Sequence, residues 1–204
     1  MDKLVTGPDG QLRCRWCEAA PEFLDYHDNE WGFPVADDTR LFENLCLESF
    51  QSGLSWRTIL AKRENFRNAF SGFDHVKVAA FDGADRARLM ADAGIVRNKA
   101  KIEATINNAR RMGELVHSEG SLAAFVWSFE PTAEQRAEPQ TASTSAASHL
   151  LSKELKKRGW KFLGPTTVFA FMQAMGLIND HARGCVVRKS AEQARLAFVR
   201  PPGK

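Results

Sequence analysis

The chain has 204 residues, 44% of them hydrophobic, with a formal charge of +3 and an isoelectric point near 8.7. That is enough apolar material to bury one sizeable core, and the mild basicity permits a polyanionic partner without requiring one. Four cysteines behind a polar N-terminus, and no apolar run long enough for a bilayer, argue against a disulfide-stapled secreted scaffold or a membrane protein. A soluble protein of a reducing cytoplasm is expected, with residues 1–204 forming a single domain.

Helical periodicity runs through nearly all of it. Residues 39–47 place Leu41, Phe42 and Leu45 at helical spacing behind Asp38 or Thr39 as N-cap. Residues 56–70 and 85–93 read as further amphipathic helices, and residues 98–112 set Ile102, Ile106 and Ala109 on one face. A shorter helix is expected over 121–127. Residues 131–148, rich in Thr, Ser, Ala and Glu, read as a surface loop whose end, Ser143-Thr144-Ser145, caps a helix running to Arg158. β-branched alternating runs are nearly absent, so the expected class is all-α.

Residues 151–176 predict helix, short turn, helix. Gly159 ends the first helix, and Gly164-Pro165 opens the second. Such a turn presents backbone N–H groups at a helix N-terminus, a seat for a DNA phosphate, or it is simply an αα-hairpin in a helical core. Lys153, Lys156, Lys157, Arg158 and Lys161 surround it, and Arg97, Lys99 and Lys101 form a second basic run. Either run is explained as well by a solvated face.

The densest chemistry lies in Tyr26-His27-Asp28-Asn29-Glu30-Trp31-Gly32. His181 and Cys185 form a distant imidazole–thiol pair, at a spacing that shares one face if the segment is helical. Cys14 precedes the block, and Cys17, in Cys14-Arg-Trp-Cys17, competes with it as a metal-ligand candidate. Cys46 falls on an apolar helical face.

These residues, taken in order, resemble the 3-methyladenine DNA glycosylase I family. The likeness spans Arg13-Cys14-x-Trp16, the 26–32 block, Leu41-Phe42-Glu43 through Glu48, Gly53-Leu54-Ser55-Trp56 and Lys62-Arg63-Glu64-Asn65. It continues through Ala93-Gly94-Ile95, Phe125-Val126-Trp127, Leu155 to Gly164 and Asn179-Asp180-His181-x-x-x-Cys185. It implies a helix–hairpin–helix glycosylase fold in which a structural zinc, held by Cys14, His27, His181 and Cys185, joins the two ends of the chain.

The resemblance implies monofunctional excision of 3-methyladenine from alkylated double-stranded DNA by a monomer. The likeness assigns Glu48 as the key carboxylate reading the base and Tyr26 and Trp56 as the pocket's aromatic walls, with Trp16 and Trp31 expected to line or support it. Asp28 and Glu30 serve as capping or supporting acids. Gly53 and Leu54 belong to the loop entering the duplex, and Gly159, Lys161, Gly164 and Thr166 to the hairpin facing the phosphates. Asn179 takes the position where related glycosylases carry an aspartate, and Pro165-Thr166-Thr167 offer no Schiff-base lysine. Ser49 stands where the family pattern has glycine, which weighs against a positive φ there. The residues before Cys14 carry no readable function. A lesion-binding module without cleavage, or a glycosylase for another alkylated purine, is the alternative.

Overall fold

The computed structural model describes residues 3–204. A short hairpin, β1 (Leu4–Thr6) and β2 (Leu12–Cys14), leads into helices α1 (Glu22–Asn29), α2 (Asp38–Gln51), α3 (Trp56–Ala61), α4 (Arg63–Ala69), α5 (His75–Ala79) and α6 (Gly83–Ala91). α7 (Lys99–Glu119), α8 (Leu122–Trp127), α9 (Ala146–Lys157), α10 (Pro165–Ala174) and α11 (Val187–Ala197) complete the order. The protein is mostly helical, and the hairpin corrects the all-α expectation. Its strands pair antiparallel, with Leu4 opposite Cys14 and Thr6 opposite Leu12. The segment that carried no readable function therefore sets Arg13 and Cys14 into the interior, where both are buried.

α2 is the axis of the core. Asp37 caps it by accepting from the Arg40 N–H at 2.8 Å, and every residue from 41 to 50 is buried. A helix buried on all sides must be walled by others, and α7, α8 and α10 pack around it. Periodicity revealed one apolar face; the polar residues Glu43, Asn44 and Glu48 lie inside as well. Glu43 is paired with Arg67 at 2.9 Å. Ser49 is helical and buried, so glycine's freedom is not needed there.

Two expected helices are redrawn, and a segment left open as helical is not one. The 56–70 helix breaks at Lys62 (φ −102°, ψ 3°), whose ammonium is drawn to the carbonyls of Ala93 and Gly94 at 3.1 Å. α7 continues through Gly113 to Glu119, because Leu115 prolongs the buried face of Ile102, Ile106 and Ala109; Gly120 (φ +95°) ends it. Residues 181–185 form a turn rather than a helix, with the Cys185 N–H donating to Ala182 O at 3.0 Å.

The 158–164 turn is held from outside itself. Asn108 donates to Lys161 O at 3.0 Å and accepts from the Lys161 N–H at 2.8 Å, while Ser152 Oγ donates to Leu163 O at 2.7 Å. Deeper in, the guanidinium of Arg195, 2% exposed, donates to the carbonyls of Gly176 at 2.6 Å and Leu177 at 3.0 Å and to Glu130 at 2.6 Å. It thus fixes the path from α10 towards His181. Among the described residues no helix is long and apolar enough to cross a membrane.

Candidate functional site

Four buried side chains from three parts of the chain converge. Cys14 comes from the end of β2, His27 from the last turn of α1, and His181 and Cys185 from the turn before α11. Their ligand atoms all lie within 4.8 Å of one another, and the set can hold a metal ion. Cys17 is outside the set and packs with Ala20 and Phe23 instead.

The imidazoles fit that role on their own geometry. His27 Nδ1 lies 2.7 Å from Asp28 Oδ1, which turns Nε2 towards Cys185 Sγ at 3.5 Å. His181 Nε2 lies 3.0 Å from Trp31 O, leaving Nδ1 facing Cys14 Sγ at 3.8 Å and Cys185 Sγ at 3.7 Å. Each ring thus has its outer nitrogen satisfied and its inner one aimed at sulfur, as a metal-ligating histidine requires. Arg13 closes the outer layer, bonding Asp28 at 2.9–3.0 Å and Asp9 at 2.6–2.8 Å. The thiols share charge unequally. Cys185 is drawn down towards thiolate by the hydrogen bond from Cys14 and by both histidines, and Cys14 is pushed up in turn. Two sulfur and two imidazole side chains form a closed donor set suited to a metal ion.

A cavity of about 460 Å³ opens beside this cluster, and Trp16, Tyr26, Trp31, Glu48 and Trp56 all line it. The Tyr26 and Trp56 rings lie 5.7 Å apart at 43°, and Trp16 meets Trp31 edge-on at 5.0 Å. Trp16 and Trp31 also pack against the cluster, at 5.2 Å from His27 and 4.7 Å from His181 respectively. They form a shared wall between the two sites.

Glu48 projects into the cavity from the last turn of α2. It has no hydrogen-bond or ion-pair partner among the described residues, and burial pushes its carboxyl up to about 8. Burial, with Glu48 nearby, holds the Tyr26 phenol well above its ordinary value, so it stays neutral. The Trp56 indole N–H and the Gln140 side-chain amide are buried without partners. Unpaired buried polar groups are costly, and a bound ligand or ordered water can satisfy them.

Glu30 pairs with Arg63 at 2.6 Å behind Tyr26, and Asp28 supports His27, so neither acid faces the cavity. Leu54 and Gly53 sit outside it on an exposed turn, with Gly53 at φ +81°. Gly159, Lys161, Gly164 and Thr166 are exposed on another surface turn, and Gly159 takes φ +79°. The first N–H groups of α10 have no side-chain cap. Arg158 is occupied by Glu119 and Glu154, each within 2.9 Å.

Several lining residues are not assigned to the cavity from the sequence. Gln140 and Ala142 come from the 131–148 loop, which forms a wall of the cavity rather than a detached surface segment. Gln173 is a polar interruption of the apolar run in α10, a clue available in the sequence. Asp180 also lines the cavity, bonded by the Gln140 N–H at 2.9 Å and Gln173 Nε2 at 2.6 Å, and burial pushes its carboxyl up. Asn179 points elsewhere, donating to Arg188 O at 3.0 Å and Glu192 at 2.9 Å. Phe23 completes the apolar side.

A helical protein that places an aromatic, carboxylate-bearing cavity beside a buried Cys2His2 cluster defines a narrow class. Residues 16–189 match the family model described as methyladenine glycosylase. The chain is 49% identical over 177 residues to DNA-3-methyladenine glycosylase 1 of Escherichia coli (strain K12), covering 85% of this chain and 95% of that one. A crystal structure of a 3-methyladenine DNA glycosylase I superimposes with a TM-score of 0.80 at 46% identity, covering 85% of this chain and 98% of that one. A variant 3-methyladenine DNA glycosylase I in complex with 3-methyladenine gives a TM-score of 0.75 at 38% identity, covering 83% and 93%. The chain belongs to the methyladenine glycosylase family.

Proposed function

We propose that this protein is a monofunctional DNA glycosylase that hydrolyses the N-glycosidic bond of 3-methyladenine in alkylated double-stranded DNA, leaving an abasic site. One observation carries the reading: an unpartnered buried carboxylate, Glu48, shares a cavity with the walls Tyr26 and Trp56. A base carrying positive charge suits both elements. The aromatic faces attract a cation, and the carboxylate accepts hydrogen bonds from an adenine edge. Entry of the cation favours ionised Glu48, offsetting the desolvation that keeps it protonated in the empty cavity.

Methylation already weakens the bond to the sugar, so the protein need supply little leaving-group protonation. The nucleotide is flipped into the cavity. The electron pair of the C1′–N9 bond returns to the ring and cancels its charge. Water then adds to C1′ and loses a proton, giving free base and an abasic sugar. No lysine lines the cavity among the described residues, which supports hydrolysis without a Schiff-base lyase step. Leu54 and Gly53 serve as the segment entering the duplex. Residues 151–176 act as a helix–hairpin–helix element that seats a phosphate through Gly159, Lys161, Gly164 and Thr166.

Cys14, His27, His181 and Cys185 would hold a structural zinc, supplying a cross-link between the two ends of the chain and no chemistry to the base. The test is release of free base from methylated duplex DNA under reducing, zinc-replete conditions. Chromatography is expected to show 3-methyladenine and an intact strand bearing an abasic site. No released 3-methyladenine would overturn the reading.

A further inference from the structure

We propose that Lys101 is a positioning residue that pins the 51–54 turn from beneath, so that the loop meets duplex DNA in one prepared conformation. The inference rests on the reading of that loop as the segment that enters the duplex. In the sequence, Lys101 belongs to a basic run with Arg97 and Lys99. In the fold it parts from them: they are exposed, and it is 7% exposed on the first turn of α7.

Its Nζ donates to Phe50 O at 2.8 Å and Ser52 O at 2.6 Å, and it forms no ion pair with any described residue. A buried ammonium without a counter-ion is expensive, and an apolar side chain would fill that space at no electrostatic cost. What the cation achieves is specific. Phe50 O is one of the carbonyls left without an intrahelical partner at the negative end of α2, and Ser52 O lies just past that end. Lys101 therefore anchors the chain on both sides of Gln51.

Above the anchor the turn closes on itself. The Leu54 N–H donates to Gln51 O at 2.7 Å, and Gln51 Nε2 donates to Leu54 O at 3.0 Å. Leu54 is left 40% exposed at its tip. Glu48 and Gln51, from the same last turn of α2, line the cavity. One cation thus holds the cavity's carboxylate-bearing helix end and the loop in a common frame. A loop ordered in advance loses less conformational freedom on binding.

The test is Lys101→Met, which keeps the apolar stem and removes the donor. Circular dichroism and zinc content should match the parent. Base release from methylated duplex at subsaturating DNA should fall by about tenfold or more, while affinity for free 3-methyladenine stays within about twofold. No loss on the duplex, or an equal loss in free-base binding, would overturn the proposal. Should the variant not fold, amide hydrogen exchange in the parent decides. The Leu54 amide is expected to be protected by about tenfold or more relative to an unstructured peptide, and an unprotected amide refutes the anchor. A parent protein that releases no base sinks the functional reading instead, and the exchange measurement still judges the anchor alone.

Discussion

Tyr26 and His27 are neighbours in α1 and serve different sites. Tyr26 lines the cavity with Glu48, and His27 Nε2 faces Cys185 Sγ at 3.5 Å. Consecutive residues on a helix point about 100° apart, so a single turn addresses both the cavity and the cluster. The cluster sits behind the aromatic wall, and whatever stiffens His27 also stiffens Tyr26.

That coupling runs through Asp28. Asp28→Asn removes the charge that orients His27 Nδ1, and the affinity for zinc should fall by roughly 10–100-fold. Competition with a chromophoric chelator measures it. Metal release indistinguishable from the parent would show that Asp28 serves only Arg13.

Glu48 makes stability depend on pH. Burial raises its carboxyl from 4.5 to about 8, so the folded protein keeps a proton that the unfolded chain releases. Stability from this group is fully present below about 4.5 and declines as pH rises towards 8. Glu48→Gln cannot ionise, so it should match the parent near pH 5 and exceed it by about 2 kcal/mol or more near pH 8.5, while excision is lost. Urea midpoints for the two proteins that stay parallel across this range would contradict the burial argument.

Trp56→Leu tests the aromatic wall. Free 3-methyladenine should bind about tenfold more weakly or worse, as the loss of base–aromatic stacking implies, with zinc content unchanged. Titration by fluorescence or chemical shift reads this directly. Undiminished affinity would place the base elsewhere.

Arg195→Met tests the hidden scaffold. It strands the carbonyls of Gly176 and Leu177 inside the protein, at a cost of about 3 kcal/mol. The chain between α10 and His181 should loosen, lowering the denaturation midpoint and hastening metal loss. A midpoint shift below about 0.5 kcal/mol would mean that other contacts hold that path.

Much of this was legible beforehand. Tyr26, Glu48 and Trp56 are singled out by the resemblance to a family rather than by local pattern, and the structure brings all three to one cavity. Cys14, His27, His181 and Cys185 likewise meet. What stayed hidden came from contacts between distant segments. Gln140 lies in a polar loop with no local pattern, and it reaches the cavity because Asp180 accepts its backbone N–H at 2.9 Å. The break at Lys62 follows from a partner some thirty residues away, which no window of helical periodicity includes.

By itself the sequence determined the helical character and the chemistry available, because periodicity and side-chain type are local properties, while the resemblance to a family supplied the candidate site residues. Only the tertiary structure decided which of those groups are paired and which are left without a partner. Lys101 reads as one of three surface cations, yet it lies buried against two carbonyls. Glu48 reads as the end of an apolar run, yet it has no partner inside a cavity. Burial and pairing set the energy of a charge, and both depend on elements far apart in the chain.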